Sequence, residues 1–136
     1  MKICFEPIGI VRSDVEKPPR HWSVSDVKGE LYIDPKYSKG LKDIKAGQLI
    51  VVLFHLHKSP AFEERYLVQK PPHLEDMLGV FSTCSPRRPN PIGLSVLKVL
   101  NIKDNVITVK GIDMFDGTPI LDIKPYIKAE NSHNPG

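Results

Sequence analysis

"LSVLKVLNIKDNVITVKGIDM", residues 94–114, is the stretch that says most about the fold of this chain. Two runs rich in aliphatic and β-branched residues flank "KDN" at residues 103–105, where Asp and Asn are good turn formers. In the second run Ile107 and Val109 flank Thr108, which is the period-two pattern of a half-buried strand. The stretch therefore predicts a β-hairpin.

Similar strand patterns recur along the chain at the spacing that is typical of all-β barrels and sandwiches. Turn formers separate them, and "FDGTP" at residues 115–119 is a second tight turn, because Asp-Gly readily adopts a positive φ. The other predicted strands are "ICFEPIGIV", "GELYID", "QLIVVLF", "GVFSTC" and "PILDI".

Helical patterns are few. "SPAFEERYLVQK" at residues 59–70 starts as a helix should, with Ser59 as a cap and Pro60 at the first position. The Pro-Pro pair at 71–72 would end it. "SKGLKDIKAG" at 38–47 has room for one or two turns.

Composition agrees with a compact fold. The 136 residues are 40% hydrophobic and 26% charged, which is ordinary for a globular protein with a real core. Thirteen prolines and short strands favour a mainly β fold, a single compact β-barrel with few short helices. We expect one domain over residues 1–136, with a flexible tail at 129–136.

Composition also limits location and partners. The longest apolar run, residues 49–54, is too short to cross a membrane, and the N-terminus lacks the pattern of a signal peptide. Two cysteines, Cys4 and Cys84, are too few for a disulfide framework, so we expect a cytoplasmic protein. A net charge of +3 is too small to indicate nucleic acid by itself.

Several classes of site have no sequence support. The chain contains no GxGxxG, no GxxxxGK[ST] and no GxSxG motif, so a conventional nucleotide-binding or α/β-hydrolase domain is not expected. "HLH" places His55 and His57 on one face of a strand, where both could bind a metal. A metal site usually needs a third or fourth ligand, so we expect no metal.

"SPRRPNPIGLS", residues 85–95, is the most rigid and most cationic segment. Its prolines hold Arg88 and Asn90 in a narrow conformational range. A stiff loop loses little entropy when it binds, and the forks of Arg87 and Arg88 suit phosphate or carboxylate groups. The alternative is an inter-strand loop whose arginines face water.

A second segment, "FDGTPILDIKPY" at residues 115–126, gathers Asp116, Asp122, Lys124 and Tyr126 near a tight turn. Asp122 and Lys124 share a strand face if the segment is extended. They could form a surface salt bridge, or a carboxylate here could accept hydrogen bonds from a ligand.

"GVFSTCSPRRPNPIGLSVLKV" followed by "DMFDGTPILDIKPY" closely resembles the TsaA/TrmO-like family. "FEPIGIVRS", "PPRH" and "FHLHKS" are also similar, so the resemblance covers nearly the whole chain up to Tyr126. It implies a small β-barrel that works as a homodimer, binds S-adenosylmethionine and methylates N6 of threonylcarbamoyladenosine beside the tRNA anticodon.

The resemblance also implies cofactor-binding positions. Relative to the family, His21 stands where Gln is common, Cys84 stands for an arginine near the cofactor, and the C-terminal extension of longer members is not present. The implied cofactor-binding residues are Pro19, Arg20, His21, His57, Lys58, Cys84, Leu94, Phe115, Asp116, Gly117 and Thr118.

Methylation of a substituted adenosine at N6 benefits from a group that takes the N–H proton, because the nitrogen lone pair is delocalised into the ring. Asp122 and Tyr126 are the catalytic candidates, with Lys124 as a tuning or phosphate-contacting charge. Stacking on Trp22 or Tyr126 would hold an anticodon-loop base. The predicted contacts to RNA are Arg87, Arg88 and Asn90.

Two other functions compete with this prediction. Cys84, in place of an arginine, suggests an RNA-binding barrel that has lost donor binding and is not a catalyst. "HLH" suggests a metal-dependent hydrolase. Binding of S-adenosylmethionine separates the first alternative from the methyltransferase, and a metal assay tests the second.

Overall fold

The computed structural model describes residues 1–129. Of the predicted flexible tail at 129–136, all but Ala129 lies outside the described residues. The strands are β1 (Gly9–Arg12), β2 (Lys28–Ile33), β3 (Leu49–His55), β4 (Val68–Gln69), β5 (Leu78–Gly79), β6 (Ile92–Lys103), β7 (Val106–Lys110) and β8 (Pro119–Pro125).

Six of these strands close a barrel in the order β1-β2-β7-β6-β3-β8, and every neighbouring pair is antiparallel. Strands β4 and β5 form a separate two-stranded ribbon. The helical segments within residues 1–129 are short 3₁₀ helices, at Trp22–Val24, Pro35–Leu41, Glu64–Leu67 and Val80–Ser82. The prediction of a mainly β barrel is confirmed.

The predicted hairpin is formed by β6 and β7. Its turn depends on Asp104, which adopts φ +53°, a conformation that Asp tolerates better than most residues. The next residue, Asn105, donates its side-chain N–H to the Ile33 carbonyl at 2.6 Å. The turn therefore also ties the hairpin to the end of β2.

Alternation along the strands separates the core from the surface. The inward side chains form one apolar cluster, which includes Leu31, Val52, Leu97, Ile107 and Ile120. Outward positions of β2 and β7 are mixed, whereas those of β3 and β6 are largely apolar. We call the latter surface the outer wall, formed by Leu49, Val51, Leu53, Ile92, Leu94 and Val96.

The antiparallel order places the connections at two ends. Residues 13–27, 56–91 and 111–118 join strands at one end, which we call the upper end. Residues 34–48 and the turn at 104–105 join strands at the opposite, lower end. The connections that carry family-like motifs therefore meet at the upper end.

Two local predictions are wrong. The helix expected from Ser59 is only a 3₁₀ turn at Glu64–Leu67, because Ser59 Oγ donates to the Pro86 carbonyl at 2.7 Å and does not cap a helix. "GVFSTC" is not a strand, since β5 ends at Gly79 and a 3₁₀ turn follows. Among residues 1–129 no helix is long and apolar enough to cross a membrane.

Candidate active site at the upper end of the barrel

The first upper-end connection is fastened to the third. Ser25 Oγ donates to the Ile112 carbonyl at 2.6 Å, and the amides of Gly111 and Ile112 both donate to the Val27 carbonyl at 2.9 and 3.1 Å. Gly111 has φ +107°, a conformation that favours glycine. The chain can therefore leave β7 sharply and return across the end of the barrel.

The Asp-Gly turn is held in place by the end of β1. Asp116 Oδ1 accepts from the Ser13 amide at 3.0 Å, and Arg12 lies 3.6 Å from the other carboxylate oxygen. Gly117, at φ +81°, donates its amide to the Val11 carbonyl at 2.7 Å. Thr118 is buried, and its hydroxyl donates to the Phe115 carbonyl at 2.7 Å. Both carboxylate oxygens of Asp116 therefore have partners within the protein and stabilise the turn.

The second connection reaches the third through a cation–π contact. The Lys58 ammonium lies 4.4 Å from the centroid of the Phe115 ring. Lys58 follows directly on the end of β3, where the His57 amide turns back to the His55 carbonyl at 2.8 Å. Two segments that are far apart in sequence and that the resemblance assigns to the cofactor are therefore in contact.

His21 caps the 3₁₀ helix at Trp22–Val24. Its Nδ1 accepts from the Ser23 amide at 3.2 Å and lies 2.6 Å from Ser23 Oγ. Because Nδ1 is an acceptor, the neutral ring carries its proton on Nε2. The His21 and Trp22 ring centroids are 5.0 Å apart. The segment thus presents a donor and an aromatic face side by side.

Asp113 is the site residue that the sequence analysis missed. It lies between buried Ile112 and Met114, and Oδ1 accepts from the hydroxyl of Ser95, which points into the barrel and is fully buried. Burial raises the pKa of Asp113, while the hydrogen bond from Ser95 and the proximity of His21 act in the opposite direction. A carboxylate flanked by two apolar residues at the end of a strand was the available signal.

The Pro-rich segment is stiffened by its own hydrogen bonds. Arg88 Nη1 donates to the carbonyls of Thr83 and Ser85, both at 3.0 Å. The side chain of Gln69 donates to the Arg87 carbonyl at 2.7 Å. The Arg87 guanidinium itself lies 5.4 Å from the ring centroid of Tyr66. Arg88 therefore braces the loop, whereas Arg87, Asn90 and Cys84 are exposed.

The three catalytic candidates lie away from the upper-end segments within one chain. Asp122 pairs with Leu53, which pairs with Leu94, so these side chains form a row across the outer wall. Asp122 and Lys124 form an exposed salt bridge at 2.9 Å. Tyr126 lies at the lower end and, with Asp122 and Lys124, lines a groove of about 800 Å³.

The two histidines of "HLH" are both exposed, and no group of three or more potential metal ligands occurs within the part of the chain that the structure describes. Leu94, predicted to contact the cofactor, is 52% exposed on the outer wall. The predicted cofactor residues thus fall into two sets, a larger set at the upper end and Leu94 on the outer wall.

Comparison with known proteins gives consistent matches. Residues 11–132 match the family TrmO_N, described as the tRNA-methyltransferase O N-terminal domain. A probable S-adenosyl-L-methionine-binding protein of Pyrococcus abyssi is 37% identical over 93% of this chain and 70% of that protein. A mouse tRNA (adenine(37)-N6)-methyltransferase is 35% identical over 96% of this chain.

The fold agrees as well. The crystal structure of TrmO from Pseudomonas aeruginosa superposes with a TM-score of 0.75 at 29% identity and covers 100% of this chain. The chain spans 60% of that TrmO chain and 32% of the mouse enzyme, so it corresponds to one part of these longer proteins. With a family match that covers most of its length, the chain belongs to the TrmO family and corresponds to the N-terminal domain of tRNA-methyltransferase O.

Proposed function

We propose that this protein is an S-adenosylmethionine-dependent methyltransferase that modifies N6 of threonylcarbamoyladenosine beside the tRNA anticodon. The observation that carries the proposal is the contact between the His57–Lys58 and Phe115–Thr118 segments at the upper end, because the barrel brings distant family motifs into one place. The names of the relatives, which include S-adenosylmethionine-binding proteins and tRNA methyltransferases, support the same conclusion.

The residues at the upper end fit the chemistry of S-adenosylmethionine. Lys58 supplies a positive charge for a carboxylate, and the half-buried carboxylate of Asp113 supplies a negative charge for a cation. The partly exposed rings of Phe115 and Trp22 offer apolar surface for a purine ring. When bound, the cofactor provides an electrophilic methyl group.

Orientation is the main task of the chain's own residues in such a transfer, since donor and acceptor must be in line. The Asp116–Gly117 turn is suited to this task because several hydrogen bonds and one ion pair hold it to the end of β1 and to itself. His21 offers Nε2–H as a donor, whereas its Nδ1 is occupied by the amide of Ser23.

Proton removal from the acceptor stays assigned to Asp122 or Tyr126, with Lys124 beside them. These residues lie on the outer wall and the lower end, so one chain alone does not bring them to the upper-end segments. Such a division of the site is compatible with an assembly of two chains.

We propose a homodimer that uses the outer wall. The wall exposes several large apolar side chains, Leu49, Ile92 and Leu94 among them, and water-exposed apolar patches of this kind are typical of interfaces. Sedimentation should show a dimer for the wild type, a monomer for Ile92→Glu and a dimer for Tyr32→Glu, which places the same charge on the opposite, polar side of the barrel. A wild-type monomer would contradict the proposal.

The RNA contacts are proposed for the exposed edge of the Pro-rich segment. Arg87 and Asn90 are exposed and can contact an anticodon loop, while Arg88 donates to the carbonyls of Thr83 and Ser85 and stiffens its own loop.

The exposed free thiols of Cys4 and Cys84 fit a cytoplasmic location, where thiols stay reduced.

Calorimetric titration of S-adenosylmethionine and S-adenosylhomocysteine into the protein is the first test. We expect a dissociation constant of about 1 µM or tighter, about 8 kcal/mol of binding free energy. Transfer of labelled methyl groups should then require tRNA that carries threonylcarbamoyladenosine, with unmodified tRNA as the control. Binding of tRNA without binding of either cofactor would instead establish a non-catalytic RNA-binding barrel.

A further inference from the structure

Asp113 is a half-buried carboxylate without a lysine or arginine partner. The ion pairs formed among residues 1–129 are Arg12–Asp116, Arg65–Glu63 and Lys124–Asp122, and none involves it. Its hydrogen-bond partner is the hydroxyl of Ser95, which carries no full charge. A carboxylate that loses water is costly unless an opposite charge compensates it.

The surroundings of Asp113 belong to the proposed cofactor site. His21 lies near this carboxylate, and Phe115 follows two residues later. The Ser25 hydroxyl donates to the Ile112 carbonyl, and the amides of Gly111 and Ile112 donate to the Val27 carbonyl. These bonds fix the backbone on which Asp113 stands. The carboxylate is therefore at the junction of the first and third upper-end connections.

Ser95 determines where this carboxylate points. Ser95 is fully buried on an inward position of β6, and close packing in a protein core restricts the rotamers of such a side chain. Its hydrogen bond to Oδ1 fixes one oxygen of Asp113. A pre-oriented charge in partly desolvated surroundings interacts more strongly with a ligand than a mobile charge in water.

We propose that Asp113 is the anionic anchor of the cofactor site, paired with a positively charged group of bound S-adenosylmethionine, and that Ser95 is its positioning residue. The inference rests on the proposed function. S-adenosylmethionine carries two positive charges, the sulfonium and the α-ammonium, and either can satisfy a carboxylate.

Three ligands separate these sources of charge. S-adenosylmethionine has both positive charges, S-adenosylhomocysteine retains only the ammonium, and 5′-methylthioadenosine has neither. Asp113→Asn keeps the shape of the side chain and removes its charge. Asp104→Asn is the matched control, because it makes the same change in the turn at the opposite end of the barrel.

We expect Asp113→Asn to weaken S-adenosylmethionine on the order of ten- to a hundredfold, as loss of a charged hydrogen-bond partner does, and to leave 5′-methylthioadenosine unchanged. An equal loss for S-adenosylhomocysteine identifies the ammonium, and an unchanged affinity for it identifies the sulfonium. Ser95→Ala should show the same ligand pattern with a smaller loss. Asp104→Asn should change none of the three affinities.

Equal weakening of all three ligands would overturn the inference, because the carboxylate would then be accepting from a neutral hydroxyl or amine. Unchanged binding in Asp113→Asn would overturn it too, while leaving the proposed function intact. Failure of the wild type to bind any of the three would remove both. Thermal unfolding of each variant without ligand confirms that the barrel has folded before affinities are compared.

Discussion

The two ends of the barrel use the same strands for different purposes. At the lower end the β6–β7 connection is the turn at 104–105, and Asn105 fastens it to Ile33. At the upper end residues 13–27 and 56–91 are long and contain several prolines, and 56–91 contacts the shorter connection 111–118 through Lys58 and Phe115. A closed sheet needs only short turns to hold together, so the additional chain at the upper end is available for binding.

The largest effect on stability is expected in the barrel core, which supports both ends. Leu97 is fully buried on β6 and Leu94 is 52% exposed on the same strand. Leu97→Ala should lower the free energy of unfolding by about 2–5 kcal/mol, because a cavity remains where the side chain was. Leu94→Ala should cost less than about 1 kcal/mol. Urea denaturation measures both, and equal losses would mean that the two faces of β6 are not distinct.

Substitution of two lysines, one at each end of the barrel, tests whether the cofactor binds at the upper end. Lys58 lies over Phe115 at the upper end, and Lys36 lies 5.1 Å from the centroid of Tyr37 at the lower end. Lys58→Gln should weaken S-adenosylhomocysteine about tenfold, since a charged partner of the amino-acid carboxylate is lost. Lys36→Gln should leave the affinity unchanged. Similar losses in both variants would place cofactor binding elsewhere.

A smaller effect, on stability alone, is expected at the lower end. Asn105→Ala removes the 2.6 Å hydrogen bond to the Ile33 carbonyl and should cost about 1 kcal/mol of unfolding free energy. Binding of S-adenosylhomocysteine should not change, because the turn is at the opposite end of the barrel. If fully folded Asn105→Ala bound S-adenosylhomocysteine more weakly, the two ends of the barrel would be energetically coupled.

The smallest effect concerns pH. Burial raises the pKa of Asp113 above its reference value of 3.8, so the folded protein holds this proton more tightly than the unfolded chain. The resulting stabilisation is fully present below the unfolded pKa and is lost as pH rises through the folded pKa.

Asp113→Asn lacks this titration, so its stability relative to the wild type should increase as pH rises above the reference pKa of 3.8 and through the folded pKa. Denaturation in urea at several pH values measures the difference. His21 lies near Asp113, so the same pair of proteins in a His21→Gln background measures how much His21 contributes to the difference. A difference that decreases with pH would mean that the pKa is lowered, not raised.

Local patterns in the sequence predicted a large part of this architecture. The hairpin of β6 and β7 and the tight turn at 115–119 follow from alternation and from turn-forming Asp, Asn and Gly, which act over a few residues. The prediction of a helix from Ser59 was wrong because a distant contact overrides the local pattern. Its capping hydroxyl bonds to Pro86, 27 residues away, and no local pattern reports that contact.

The candidate site was predicted only in part. Motifs indicated His21, Lys58 and Phe115. Asp113 and Ser95 lie inside the same quoted segments, but neither was singled out, because each stands between apolar residues as a core position would. The position of Arg88 in a rigid loop was read from its prolines. Only the structure shows that the Arg88 guanidinium donates to two carbonyls of its own loop. Those carbonyls belong to irregular backbone, whose position no sequence pattern predicts.

The sequence by itself determined the strands, the turns and the family, because alternation, turn chemistry and ordered motifs are properties of short stretches. Only the tertiary structure decided which side chains meet. Lys58 meets Phe115 and Ser95 meets Asp113 because six strands close in one register. Closure depends on pairings between β1 and β8 and between β3 and β6 that are distant in the chain. Pairings of this kind are set by the packing of the whole core, which no single stretch of sequence contains.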